Sequence, residues 1–126
     1  FGTATTIDIL NKKGAYDGGV ITPGIDLSLK SLEEGTAKLP LVKFKKTKKI
    51  VGKSTMEAIQ SGFFWGYISM IDGLVKKIEN EKKKKFQLIL TGGNSKYFEG
   101  YFQNVIKIDE LFNSKGLNHL INTYLK

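Results

Sequence analysis

Phe-Gly-Thr-Ala-Thr-Thr-Ile-Asp-Ile-Leu, residues 1–10, places a glycine and three threonines directly before a strand-like alternation of apolar side chains. Backbone N–H groups beside a glycine can approach a phosphate closely, and threonine hydroxyls add further donors. The stretch therefore predicts a phosphate-binding turn that leads into a β-strand. On its own it also fits an ordinary strand start, because threonine is a good strand residue. The chain begins without Met inside this pattern, and we interpret it as a fragment of a longer protein.

The composition suits one compact α/β domain. The chain has 126 residues, 40% of them hydrophobic, and no cysteine, so disulfides and thiolate metal sites are excluded. No apolar run reaches the roughly 18 residues that a membrane span needs, which favours a cytoplasmic protein with no membrane partner. The net charge of +8 would attract anions. The lysines concentrate at residues 43–49 and 82–85 without the alternating aromatics of single-strand binders, so we expect solvated surface and no nucleic-acid partner.

The first half of the chain predicts a β-hairpin followed by a helix. Residues 3–10 and 16–21 are strand-like, and the turn between them contains Asn11 and Gly14, which tolerate positive φ. Pro23-Gly24 ends the second strand, and an apolar stripe then predicts a helix over residues 25–37. Residues 41–51 lack a long periodic pattern and predict a short strand or an exposed connector.

A long helix is predicted to begin near Ser54. Ser54 or Thr55 is the candidate N-cap, and Glu57 can complete a capping box with Ser54. Apolar residues then recur at helical spacing and are expected to be mostly core: Met56, Ile59, Phe63, Tyr67, Met70, Ile71, Leu74 and Ile78. An adjacent face carries only small residues, which would let another backbone approach closely, either within the fold or from a dimer partner: Gly62, Gly66, Ser69 and Gly73.

The last third predicts two strand-and-helix units. Residues 86–90 form a short apolar run of buried-strand type, followed by Thr91-Gly92-Gly93 and a short helix. Glycines at the carboxyl end of a strand leave flat backbone for a base or ribose, although an ordinary strand-to-helix connection has the same pattern. Residues 105–108 predict another strand. A terminal amphipathic helix follows, marked by Leu111, Leu117, Leu120, Ile121 and Leu125. The predicted order is ββα, long helix, βα, βα.

Four patterns in order carry a family resemblance. They are Phe-Gly-Thr-Ala-Thr-Thr at 1–6, Gly-Gly-Val-Ile-Thr-Pro-Gly at 18–24, Gly-Lys-Ser-Thr-Met-Glu-Ala-Ile-Gln-Ser-Gly at 52–62 and Thr-Gly-Gly at 91–93. Together they resemble the C-terminal half of type III pantothenate kinase. The resemblance covers essentially the whole chain and is specific as an ensemble.

The resemblance implies an α/β fold, the C-terminal domain of an actin/hexokinase-like (ribonuclease H-like) ATPase, with residues 1–126 as its nucleotide-binding domain. It implies that Gly2 and Thr3 contact the ATP phosphates, that Thr91, Gly92 and Gly93 contact adenosine, and that Thr55 binds pantothenate. It further implies phosphorylation of pantothenate to 4'-phosphopantothenate, the first step of coenzyme A biosynthesis, by a homodimer that uses ATP with Mg²⁺ and K⁺ or NH₄⁺.

The parts of the family pattern that this chain lacks are catalytic. The cation-binding aspartate is expected just before Phe1, and the expected base and the magnesium-associated aspartate belong to an N-terminal domain absent from this chain. No catalytic residue and no metal ligand are therefore assigned here, and the fragment alone is expected to be inactive. The alternative is a non-catalytic transcription accessory or regulatory protein on the same fold. A third interpretation is another sugar- or acyl-kinase of the same superfamily.

Overall fold

The computed structural model describes residues 1–124. The chain divides into two compact units, Phe1–Tyr67 and Ile68–Lys126. The secondary structure is mixed α/β, as expected, with strands and helices in both units. Among the described residues no helix is both long and apolar enough to span a membrane.

A β-hairpin opens the first unit, as predicted. Strand β1 (Ala4–Leu10) pairs antiparallel with strand β2 (Tyr16–Pro23). Asn11 organises the turn because its side-chain oxygen accepts hydrogen bonds from two backbone N–H groups further along it. Gly14 has a φ of 76°, a conformation that glycine adopts without strain. The second strand runs two residues further than expected, because Thr22 still faces Thr5 across the ladder.

Helix α1 (Ile25–Glu34) follows β2 directly. Ile25 and Leu29 on its apolar stripe are buried. The helix is shorter than the predicted 25–37 because Gly35, a poor helix former, stands at its C-cap. The Thr36 hydroxyl donates to the Leu32 carbonyl and so satisfies one of the last acceptors of the helix.

The lysine-rich segment 41–51 contains no helix or strand, as the connector interpretation expects. Its backbone is nevertheless anchored, because Val42 and Phe44 are buried and the Gln60 side chain donates to the Lys43 carbonyl. Phe44 is the aromatic residue inside this basic cluster, and its ring packs 6.3 Å from that of Phe64. A buried ring of this kind is not available to stack on a base.

Helix α2 (Thr55–Lys82) is the long helix that the sequence predicts. Ile59 and Ile71 are buried as expected, whereas Met56 is exposed because it lies in the first helical turn, before the packed part of the helix. Phe64, which the predicted stripe omits, is fully buried against Phe44 and Trp65.

The small-residue face of α2 has no neighbour in the part of the chain that the structure describes. A Cβ added at Gly62, Gly66 or Gly73 would meet no heavy atom within 4 Å. Among the described residues, none therefore packs closely on these three glycines.

The second unit contains a parallel strand pair. Strand β3 (Leu88–Leu90) pairs with strand β4 (Val105–Ile108), and a short 3₁₀ helix (Ser95–Phe98) lies between them in sequence. The strand predicted at 86–90 is present but shorter than expected, and of its three residues Leu90 is buried while Ile89 is exposed.

Helix α3 (Phe112–Tyr124) is the predicted terminal helix, and none of its residues is buried. His119 on this helix is exposed. Leu125, which was expected to continue its apolar stripe, lies outside the described residues.

Candidate functional site

The turn formed by Gly2 and Thr3 is held against Gly24. The Gly24 N–H donates to the Thr3 carbonyl at 2.9 Å. A Cβ on Gly24 would lie 2.3 Å from the carbonyl oxygens of both Gly2 and Thr3, closer than any side chain can approach. Glycine is therefore required at position 24, where the sequence pattern indicated only a break after the strand.

Pro23, the residue before Gly24, is held by a hydrogen bond from helix α2. The Tyr67 hydroxyl on α2 donates to the Pro23 carbonyl at 2.7 Å. Because that hydroxyl has one proton, the Ser28 hydroxyl on α1, 3.2 Å away, acts as donor to Tyr67. Strand β2, α1 and α2 thus meet at the peptide that precedes Gly24. Sequence reasoning placed Tyr67 in the core and gave no indication of this hydrogen bond.

The Thr3 side chain is exposed, and no described residue forms a hydrogen bond with its hydroxyl. This leaves one hydroxyl donor at the start of β1 for a ligand. The neighbouring Thr5 hydroxyl is different, because Thr5 is only 3% exposed and its hydroxyl has no hydrogen-bond partner among the described residues. A hydroxyl can donate to an anion, so the Thr3 side chain on this locally fixed backbone is compatible with a phosphate contact.

At the start of α2 the structure separates the roles of two adjacent hydroxyl residues. The Glu57 N–H donates to the Ser54 side-chain oxygen at 3.2 Å, so Ser54 is the N-cap. In a standard capping box the Glu57 carboxylate would accept a hydrogen bond from the Ser54 backbone N–H. Here it accepts from the N–H of the preceding residue, Lys53, at 2.8 Å. Thr55 is exposed, and its hydroxyl takes no part in the cap.

Thr91, Gly92 and Gly93 lie in the second unit, directly after β3. Gly92 has a φ of 95°, which favours glycine, and its carbonyl accepts from the Ser95 N–H at 3.0 Å to start the 3₁₀ helix. A Cβ on Gly93 would meet no atom within 4 Å, so open backbone surface is present at this turn. That is the flat surface expected of a nucleoside contact, although a plain strand-to-helix connection would share it.

The two acidic residues whose pKa is lowered, Glu79 and Asp109, have structural roles. Hydrogen bonding from Lys115, and then from the Leu111 N–H, lowers the pKa of Asp109, which is thereby fixed at the entry to α3. Hydrogen bonds from Lys85 and the Phe86 N–H lower the pKa of Glu79. Within residues 1–124 no group of three or more His, Asp or Glu side chains could hold a metal ion.

Comparison with known proteins identifies the family. The sequence profile of type III pantothenate kinase matches residues 1–77, which include both the Gly2–Thr3 turn and Thr55. The chain belongs to the type III pantothenate kinase family.

Relatives that are themselves named type III pantothenate kinase support this family assignment. The chain is 49% identical over 111 residues to the type III pantothenate kinase of Persephonella marina, covering 88% of this chain and 42% of that protein. It is 44% identical over 126 residues to that of Paracoccus denitrificans, covering all of this chain and 48% of the relative. The chain thus spans a little under half the length of these pantothenate kinases.

A solved structure also resembles the chain. A Campylobacter jejuni protein described as a Baf family transcriptional activator superposes with a TM-score of 0.63 at 27% identity, covering 96% of this chain and 54% of that one.

Proposed function

We propose that this chain is the C-terminal nucleotide-binding domain of a type III pantothenate kinase, and that the intact protein transfers the γ-phosphoryl group of ATP to pantothenate. The product is 4'-phosphopantothenate, and the reaction is the first step of coenzyme A biosynthesis. The observation that carries this proposal is the family match over residues 1–77, a range that contains Gly2, Thr3 and Thr55. The fold in this proposal is the C-terminal domain of an actin/hexokinase-like ATPase, and the compartment is the cytoplasm.

Gly2 and Thr3 bind the ATP phosphates in this proposal. The exposed Thr3 hydroxyl and the close backbone packing on Gly24 support it, because a phosphate site needs available donors on a backbone that does not have to reorganise. Thr91, Gly92 and Gly93 contact the adenosine, supported by the open backbone at Gly93.

Thr55 binds pantothenate, and its position at the first residue of α2 supports this role. The Ser54 side chain satisfies the N–H of Glu57, which leaves the Thr55 hydroxyl for a ligand. The amino end of a long helix also carries a partial positive charge, and this favours a carboxylate such as that of pantothenate.

The reaction joins the primary hydroxyl oxygen of pantothenate to the γ-phosphorus as the bond from that phosphorus to ADP breaks, and the hydroxyl proton passes to a base. No aspartate in this chain has the family's motif context for that base, so we assign the base to the rest of the protein. ATP is used with Mg²⁺ and with K⁺ or NH₄⁺. Within residues 1–124 no group of three or more His, Asp or Glu side chains could hold a metal ion. The metal-associated aspartates of the family pattern are not among the residues of this chain, so we assign these ligands to the rest of the protein.

The intact protein is proposed to be a homodimer. The uncovered small-residue face of α2 supports this, since glycines in a helix interior are destabilising by about 0.5–1 kcal/mol relative to Ala unless a close contact uses them.

The test is a coupled assay of ADP formation on the protein expressed from its full gene. Turnover that requires both pantothenate and K⁺ or NH₄⁺ is the expected result. ADP formation that does not respond to pantothenate, but does respond to another sugar or acyl substrate in a panel, would replace this proposal with a different kinase of the superfamily.

A second candidate is a non-catalytic transcription accessory protein. The observation that favours it is the similarity to the Campylobacter jejuni protein described as a transcriptional activator. The upstream sequence separates the two, because an aspartate just before Phe1 is expected only of the enzyme. No turnover with any substrate, together with absence of that aspartate, would favour the accessory protein.

A further inference from the structure

The segment that leads into helix α2 carries a run of positive charge. Between Glu34 and Glu57 the chain contains seven lysines and neither Asp nor Glu. We call residues 38–53 the basic segment. All seven of its lysines are exposed: Lys38, Lys43, Lys45, Lys46, Lys48, Lys49 and Lys53. Within residues 1–124 neither Lys48 nor Lys49 has an ion-pair partner, so no carboxylate neutralises this pair locally.

The basic segment is fixed on α2 although it contains no helix or strand. The Gln60 side chain donates to the Lys43 carbonyl at 3.4 Å. The Ser61 hydroxyl donates to the Ile50 carbonyl. Both donors belong to α2, so the lysines between these two carbonyls are held beside that helix.

Both anchors lie close to Thr55 along the helix. Gln60 and Ser61 follow Thr55 by five and six positions, which is about 7.5 and 9 Å along the helix axis. The Debye length is about 10 Å at 0.1 M ionic strength and about 30 Å at 0.01 M. The charge of the basic segment therefore acts at Thr55 without direct contact, and it adds to the positive end of the helix.

We propose that the basic segment attracts pantothenate to Thr55 through its charge and without touching it. Pantothenate carries a carboxylate, and a cluster of lysines beside a site raises the local concentration of such an anion. This inference rests on the proposed function, in which Thr55 binds pantothenate. One unit charge about 10 Å away in water changes affinity by roughly twofold at low ionic strength, so several solvated lysines together have a measurable effect.

Charge variants of the intact protein test this attraction. Lys48→Gln/Lys49→Gln removes two charges, and Lys48→Glu/Lys49→Glu reverses them. At low ionic strength and constant K⁺, we expect KM for pantothenate to rise about threefold in the first variant and about tenfold in the second, with kcat within about twofold of wild type. Raising the ionic strength to about 0.5 M with tetramethylammonium chloride should remove most of the difference.

Lys12→Gln/Lys13→Gln is the matched control, since it makes the same change in net charge. These two exposed lysines lie in the hairpin turn, at the opposite end of β2 from the contact between Pro23 and α2. The control should keep KM for pantothenate within about 1.5-fold of wild type at each ionic strength.

Equal increases in KM for the control and for Lys48→Gln/Lys49→Gln would overturn the inference, because net charge alone would then explain them. An increase that persists at high ionic strength would also overturn it, since direct contact or an altered fold would be responsible. Unchanged KM with normal turnover rejects this inference alone. Wild-type protein without pantothenate-dependent turnover rejects the proposed function and the inference together, so the two failures are distinguishable.

Discussion

The Tyr67 hydroxyl donates to the Pro23 carbonyl at 2.7 Å, joining residues that are 44 positions apart in sequence. The next residue, Gly24, donates to the Thr3 carbonyl, so a side chain in the middle of α2 supports the turn proposed to bind ATP. Tyr67 is therefore a positioning residue in this proposal, since it acts on the turn through the Pro23–Gly24 peptide.

Tyr67→Phe is expected to weaken ATP binding. Loss of one hydrogen bond costs about 1 kcal/mol, so we expect KM for ATP to rise about fivefold while kcat at saturating ATP stays within about twofold of wild type. Steady-state kinetics of the intact protein measure both values. Tyr16→Phe is the matched control, because Tyr16 lies on the same hairpin and is exposed. A fall in melting temperature without a change in KM would assign Tyr67 a purely structural role.

Gly24→Ala is expected to displace the Gly2–Thr3 turn, because the new methyl group would lie 2.3 Å from two carbonyl oxygens. Overpacking of this kind costs about 1–3 kcal/mol, and urea denaturation measures the loss of unfolding free energy. Gly93→Ala is the matched control, since its Cβ meets no atom within 4 Å. The steric account fails if both variants lose the same stability.

Ser54→Ala and Thr55→Ala are expected to have different effects although the residues are adjacent. Ser54→Ala removes the helix cap and should lower the free energy of unfolding by about 1 kcal/mol, measured by urea denaturation. Thr55→Ala should leave stability nearly unchanged and raise KM for pantothenate. An unchanged KM for pantothenate in Thr55→Ala would contradict the substrate role of this residue.

Acid is expected to destabilise the second unit through Glu79 and Asp109. Lysine hydrogen bonds lower the pKa of both carboxyl groups in the folded state. Their stabilising contribution is therefore present above the pKa of the unfolded chain, at about pH 4, and is lost as pH falls through the folded values. The free energy of unfolding should therefore fall as pH drops below about 4, and Glu79→Gln or Asp109→Asn should reduce that slope. Glu34→Gln is the control, because the Glu34 side chain is exposed in its pair with Lys30.

Local patterns predicted most of the elements. Alternation and an Asn–Gly turn predicted the hairpin, and Ser54 with Glu57 predicted where α2 begins, because these preferences act over a few residues. Burial was predicted less well. Phe64 lies in the core while Met56 does not, and the difference depends on the distant Phe44 against which Phe64 packs.

The family, the order of elements and the residues that resemble nucleotide and substrate sites follow from the amino-acid sequence, because motif identity and helical or strand periodicity are local along the chain. How the opening Gly2–Thr3 turn is held depends instead on the folded arrangement of distant elements. Gly24 contacts the Gly2 and Thr3 carbonyls because the backbone after β2 lies against the backbone before β1. The Tyr67 hydroxyl reaches Pro23 only because α2 folds back on β2. Such contacts depend on the position of whole elements, which no spacing of residues along the chain specifies.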